Sequence, residues 1–370
     1  MQDKNYSLLI LFLLVVSIFN VISLSTYAYS FEKSKIYSNG YNIPNLNANE
    51  IVIITPENKA YISPMSGYYP ATLGFECDLE GANPLNCIVE EIGGEVNVLD
   101  HIDGHNKVVA INDTSSSDFP YFYNTFEVTQ TNGTYEFWVR TTNATGFQGL
   151  RLYSGNIIDS NVAVDFLISN GKFRCYDGVW HDITICENNR WYHIEIAFEC
   201  TAGRYRGLDQ YKFKVWINHT EYGEFGFWNN KLSVDRIQFM GGNPGLQTLY
   251  IDAIAYSWDV GYKVGDNFDE GLLLSFNTIF TPDWLGYSLD GSINKTILGN
   301  TTIVMPNKGH HNIQVFGIDA FGTIYASNLR QFSIGILPEE VPEIPGYSIL
   351  LLISISLIMI SITIKRRLTS

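Results

Sequence analysis

The chain has 370 residues and a net charge of −15, which argues against nucleic acid and anionic membrane surfaces as partners. Between its two ends lie roughly 300 residues, enough for two domains. They are rich in Tyr, Phe, Trp, Thr, Ile and Val with frequent Gly and Asn, and no long segment has a helical apolar period, so strands are favoured over helices.

Residues 1–30 read as a signal peptide. Lys4 gives a polar start, Leu8 to Leu24 is almost unbroken apolar, and Ala28 and Ser30 supply the small residues of a cleavage site. A retained N-terminal anchor is the alternative, because the apolar run is long for a signal. Residues 31–69 read as a polar linker followed by a lead strand from Ile51.

From there short alternating segments follow one another. Tyr135, Phe137 and Val139 fall on one face of a strand, with Glu136, Trp138 and Arg140 on the other. Val162, Val164, Phe166 and Ile168 alternate likewise, and Asn170-Gly171 supplies a type I′ hairpin turn into Phe173 and Cys175. Tyr192, Ile194, Ile196 and Phe198 mark a further strand, Tyr211, Phe213, Val215 and Ile217 the next, and Leu249 to Trp258 the last. This rhythm predicts an antiparallel sandwich or jelly roll. The segments Gly133–Arg140, Arg190–Ile196, Tyr211–Asn218 and Leu249–Ile254 resemble the strand grammar of the concanavalin A-like, laminin-G-type jelly roll, with His219 standing where that family has Gly. The resemblance covers residues 70–260 and implies a lectin-like fold, not a chemistry.

Residues 266–336 hold five further expected strands: Leu272–Phe276, Trp284–Gly291, Asn300–Val304, His311–Phe316 and Gln331–Ile334. Tyr287-Ser288-Leu289-Asp290-Gly291 and His311 to Gly322 with Asp319 resemble an immunoglobulin-like module of archaeal and bacterial surface proteins, which implies a stalk. Residues 337–346 form a Pro/Glu spacer. Tyr347 to Ile364 is free of charge and just long enough to span a bilayer, and residues 365–370 open with Lys365-Arg366-Arg367. The basic tail is expected to be cytoplasmic and everything before the span outside, on the extracellular face of the plasma membrane. Glu339 to Tyr347, the span and the basic cluster together resemble the C-termini of archaeal surface proteins, some of which are processed there. The expected architecture is therefore all-β: a jelly-roll sandwich plus a smaller Ig-like β-sandwich, with an N-terminal signal and a C-terminal transmembrane helix.

Five cysteines remain, and an oxidising compartment invites pairing of Cys77 with Cys87 and of Cys175 with Cys186, leaving Cys200 over. The alternative is five reduced thiols. Asn112, Asn132, Asn143, Asn218, Asn294 and Asn300 head N-x-S/T sequons expected on turns or edges. Glu76-Cys77-Asp78-Leu79-Glu80 matches the E-x-D-x-E signature of jelly-roll glycoside hydrolases, but Gly81, Asn83 and Pro84 follow at once, so an acidic loop is favoured over catalysis. There is no zinc spacing, nucleophile elbow, P-loop or dinucleotide fingerprint. With the apolar faces inward, Trp138, Trp191 and Trp216 point outward beside Arg140 and His193, a set suited to sugar rings. The alternative is that a loop or linker covers them. Asp113 with Asp118, or Asp266 with Asp269, are the acidic loop pairs that could hold Ca²⁺. The expected function is non-catalytic adhesion or binding of glycans or surface proteins. The alternatives are a hydrolase using Glu76, Asp78 and Glu80, or a purely structural envelope component.

Overall fold

The computed structural model describes residues 50–242 and 246–336. The expected signal (1–30), spacer (337–346), span (347–364) and basic tail (365–370) lie outside the described residues. Among the described residues no helix is long and apolar enough to cross a membrane. Their architecture is all-β, with two short 3-10 turns at Asp159–Asn161 and Tyr205–Gly207.

In chain order the strands are β1 (Ile51–Thr55), β2 (Ala60–Tyr61), β3 (Ile88–Glu90), β4 (Gly94–Ile102), β5 (His105–Asp113), β6 (Tyr121–Gln130), β7 (Asn132–Thr141) and β8 (Gln148–Tyr153). β9 (Val162–Ser169), β10 (Lys172–Tyr176), β11 (Trp180–Ile185), β12 (Tyr192–Glu199), β13 (Lys212–Ile217), β14 (Thr220–Gly226), β15 (Val234–Met240) and β16 (Gln247–Tyr256) complete the first unit. The second unit contains β17 (Leu272–Thr278), β18 (Pro282–Leu289), β19 (Lys295–Ile297), β20 (Thr301–Ile303), β21 (Gly309–Asp319), β22 (Ile324–Ala326) and β23 (Arg330–Ile334).

β3 to β16 form two antiparallel seven-stranded sheets, ordered β11-β10-β9-β8-β15-β6-β3 and β14-β13-β12-β7-β16-β5-β4, an arrangement consistent with a jelly-roll sandwich. Alternation decides which residues meet between them. Phe137, Ile194, Ile196, Phe213 and Ile251 from one sheet pack with Leu150, Phe166, Phe173, Ile237 and Phe239 from the other in one continuous core. Each fully buried side chain of this size contributes about 2–3 kcal/mol. The predicted hairpin is present: Ser169 opposes Lys172, and Asn170 and Gly171 both have positive φ (54° and 74°), as a type I′ turn requires.

The second unit departs from the expected boundaries. Residues 51–61 are not a linker and lead strand for the sandwich. β1 pairs with β17, and β2 runs parallel to β23. Ile51 and Ile53 are 1% and 3% exposed in a separate core with Leu272, Leu274, Ile313 and Val315. The sandwich is thus inserted between β2 and β17 of a unit built from both sides of it. Two connecting segments, 62–70 and 257–271, join the units. They bond to each other, Met65 N donating to Gly271 O and Gly271 N to Tyr68 O, both at 2.8 Å.

The expected disulfides are absent, and all five cysteines are free thiols. Register explains one pair. Ile185 opposes Lys172, so Cys186 lies beside Gly171 while Cys175 sits opposite His181. That is four residues, about 13 Å, along the strand, beyond the roughly 7 Å that a disulfide tolerates. Cys77 and Cys87 turn to different neighbours: Cys77 packs against Gly299 of the second unit, Cys87 against the sandwich core. Burial raises all five thiols.

Candidate functional site

The sheet face carrying Trp138, Trp191, Trp216, Arg140 and His193 points away from the sandwich core, as alternation requires, but the connecting segments lie across it. Trp138 Nε1 donates to Asn267 O at 2.7 Å, and its ring packs between Phe268 (5.8 Å) and Tyr69 (5.2 Å). Asn267 is fully buried and gives its amide Nδ2 to Ala253 O at 2.8 Å, so its Oδ1 must be the acceptor for His193 Nε2 at 2.7 Å. Burial lowers His193 to about 4 and fixes it neutral. Trp191 stacks on His105 at 4.0 Å, and His105 lies against Tyr69 and pairs with buried Asp252 at 2.8 Å. Arg140 is buried beside Asp103 (3.5 Å) and the Tyr250 ring. Glu136 accepts from the Tyr262 hydroxyl and from Gly265 N, and burial pushes it up to about 8. This face is a docking surface for the chain's own connectors rather than an open sugar platform. Trp216 alone stays at its edge, under the Arg206 guanidinium, which pairs with Glu195.

The acidic motif does not gather its carboxylates. Residues 76–78 lie in a turn rather than a strand. Glu76 accepts from the Thr302 hydroxyl of the second unit, and burial pushes it up to about 7. Asp78 is buried and accepts from Leu85 N at 2.9 Å, while Glu80 is exposed. Glu76 and Asp78 line a cleft of about 910 Å³ between the units, walled by Phe126, Trp258, Tyr262 and Tyr287. The acidic pairs considered for Ca²⁺ also stay apart in character: Asp113 is buried, whereas Asp118 and Asp269 are exposed. Of the sequon asparagines, Asn218 is exposed at the β13–β14 hairpin; Asn112, Asn132, Asn143, Asn294 and Asn300 are half-buried.

The outer face of the opposite sheet is different. A row of polar residues crosses its middle, strand by strand: Asp165 on β9 opposes Arg151 on β8, which opposes Gln238 on β15, which opposes Tyr123 on β6. Arg151 Nε donates to Asp165 Oδ1 at 2.6 Å, and the Tyr153 hydroxyl donates to Gln238 Oε1 at 2.8 Å. These side chains are 8%, 1% and 1% exposed for Arg151, Asp165 and Gln238, so they form a rigid floor. Aromatic rings continue the row. Trp228 lies 5.6 Å from the Arg151 guanidinium, Tyr176 packs edge-on against Trp228 at 5.3 Å, and Trp180 lies 4.8 Å from Tyr176 and is 48% exposed. Each guanidinium has its own carboxylate, Arg174 with Asp182 at 2.7 Å and Arg236 with Asp235 at 3.0 Å, so the face carries polar groups without a dominant charge. Paired guanidinium and carboxylate groups, fixed in place beside rings, match adjacent hydroxyls and the apolar face of a sugar.

Sequence reasoning passed over these residues, although the signal was there. Asp165 stands between Val164 and Phe166, and Arg151 between Leu150 and Leu152, so both are lone charges at outward positions of apolar strands.

No family model matches the chain, and no curated protein matches it. Solved structures resemble it loosely. A sialidase matches at 15% identity over 52% of this chain and 19% of that chain, TM-score 0.42. The carbohydrate binding module CBM66 from Bacillus subtilis matches at 13% identity over 48% of this chain and 98% of that one, TM-score 0.31. The carbohydrate recognition domain of Emp46p matches at 11% identity over 51% and 96%, TM-score 0.34. The chain thus spans about a fifth of the sialidase's length, and likeness at this level says nothing of what this chain binds.

Proposed function

We propose that the protein is a cell-surface glycan-binding protein without catalysis, held at the extracellular face of the membrane by residues 347–364. Its sandwich binds carbohydrate on the outer face of the β11–β3 sheet. The single observation that carries this reading is the Asp165–Arg151–Gln238 row, buried and internally bonded, continued by Tyr176, Trp228 and the exposed Trp180. The row itself is out of a sugar's reach, but it is ordered and holds Trp228, Tyr176 and the exposed Trp180 in place, so a sugar that stacks on these rings has little side-chain entropy left to overcome. The paired charges on the face and the chain's net charge of −15 favour neutral sugars over sialylated or uronic ones. The second unit, with both connectors docked on the opposite face, would serve as the stalk. A glycan array probed with the full-length chain in detergent micelles tests this. Neutral oligosaccharides should be retained and their sialylated counterparts not; an array on which neutral glycans give no signal would sink the proposal.

A further inference from the structure

The cleft of about 910 Å³ between the units shares no lining residue with the Arg151 row and differs from it in charge. Its walls carry five carboxylates, Glu76, Asp78, Glu127, Asp259 and Asp266, against one cation, Lys295, whose Nζ donates to Gly261 O at 3.2 Å. Elsewhere the chain pairs many of its carboxylates, but among the described residues none of these five forms an ion pair. Asp259 Oδ1 accepts from Gly261 N at 2.8 Å and Asp266 Oδ2 from Lys263 N at 3.0 Å. The other oxygen of each has no hydrogen-bond partner among the described residues.

Acidic walls alone attract only counterions, but a buried group on the same cleft points to a ligand. Tyr287 is 7% exposed and lines the cleft, yet its hydroxyl has no hydrogen-bond partner among the described residues. Burial, and the charges of Asp259 and Asp266 near it, raise that hydroxyl and keep it protonated. The remaining walls are aromatic. Trp258 stacks on Tyr256 at 4.9 Å and meets Phe126 edge-on at 4.9 Å. Rings beside carboxylates hold an ammonium group by cation–π attraction as well as by charge-assisted hydrogen bonds. The carboxylates do not converge on one point: among the described residues no three His, Cys, Asp or Glu gather as a metal ion requires. Spread along ring-lined walls, they suit a chain of ammonium groups separated by methylenes, and the volume is that of a small-molecule site.

We propose that this cleft binds a linear aliphatic polyamine. Its ammonium groups lie on Asp259, Asp266 and the Tyr287 hydroxyl at one part of the cleft and on Glu76 and Glu127 at another, and its methylenes lie along Trp258 and Phe126. Phe126 belongs to β6 of the sandwich, Asp259 and Asp266 to the connecting segment, and Tyr287 to β18 of the second unit. The ligand therefore touches both units and the connector between them, and offsets carboxylates that the chain itself leaves unpaired.

The test is isothermal titration calorimetry of the full-length chain in neutral detergent micelles with spermine. Salt at about 0.15 M screens diffuse attraction to a chain of net charge −15 beyond roughly 8 Å. One spermine per chain is expected, with putrescine, which has half the charges, about tenfold weaker or worse, and with uncharged hexanediol silent. Asp259→Asn and Asp266→Asn keep an oxygen for Gly261 N and Lys263 N and lose the charge. Each should weaken spermine about tenfold, Tyr287→Phe severalfold, and Asp209→Asn, exposed and outside the cleft, not at all. Should either Asp variant fail to fold, Tyr287→Phe and the ranking of spermine, putrescine and hexanediol decide. No binding up to about 1 mM, binding that Mg²⁺ reproduces, or binding that all three cleft variants leave unchanged would overturn the site. Tighter uptake of trilysine than of spermine would overturn the ligand class in favour of a basic segment of a partner protein.

Discussion

Asn267 holds the connector to the sandwich, and removing its side chain should release it. The substitution Asn267→Ala deletes the bond from Nδ2 to Ala253 O and the acceptor for His193 Nε2. Both groups stay behind with no route to water, because His193 is 1% exposed and Ala253 likewise. Each stranded polar group costs about 1–3 kcal/mol, so the variant should lose roughly 2–6 kcal/mol. The backbone carbonyl of Asn267 would still be there for Trp138, so the loss lies with the side chain. Glu270 gives the contrast. Its carboxylate accepts from Gly67 N at 2.7 Å and from the Ser66 hydroxyl at 3.1 Å near solvent, where water can replace it, and Glu270→Ala should cost less than about 1 kcal/mol. Denaturant unfolding followed by tryptophan fluorescence reads both, with limited proteolysis reporting whether segment 257–271 has come loose. An Asn267→Ala protein within about 0.5 kcal/mol of the parent and equally resistant to protease would refute the docking of the connector on this face.

The remaining predictions concern charge and redox. Folding raises the Glu136 carboxyl from 4.5 to about 8, so the proton binds the folded form more tightly. Its stabilising effect is complete below pH 4.5 and is lost as pH rises through about 8. Stability should therefore decline by a few kcal/mol across that window, and Glu136→Gln, which stays neutral, should flatten the decline in a pH series of melts. Breaking the buried Arg151–Asp165 pair from one side, as in Asp165→Asn or Arg151→Met, should cost about 3–5 kcal/mol, while the double variant recovers part of it. A double-mutant cycle on unfolding free energies measures this. Alkylation of the unfolded, unreduced protein should label all five cysteines; recovery of a Cys175–Cys186 peptide pair would contradict the register of β10 and β11.

How much the sequence disclosed depended on how far apart the interacting residues lie. The Asn170-Gly171 hairpin and the inward faces of β7, β9, β12 and β13 are local facts of alternation and turn chemistry, and the structure bears them out. Trp138 is another matter. Alternation puts it on the outer face, but what covers it is Tyr69, 69 residues earlier, and Phe268, 130 residues later. No periodicity reports that. The same holds for Ile51 and Ile53, whose alternation is plain but whose partners, Thr278 and Phe276, lie beyond the whole sandwich. Cys175 and Cys186 are close in sequence on the adjacent strands β10 and β11, yet the register of that pair, with a bulge between Phe173 and Arg174, sets them four residues apart, and nothing in the sequence reports it. The Arg151 row was legible in part, since each of its charges interrupts an apolar strand at an outward position.

The central claim is that carbohydrate binds at the Arg151 row and not at the connector face. The most direct measurement is glycan binding by three full-length variants side by side, Trp180→Ala, Trp228→Ala and Trp138→Ala, on the same neutral array. Stacking contacts of this kind are each worth about 1–3 kcal/mol, so the first two variants should lose tenfold or more while Trp138→Ala binds as the parent does. Unchanged binding in Trp180→Ala and Trp228→Ala, with loss in Trp138→Ala, would contradict the assignment and return the site to the face that the connectors cover.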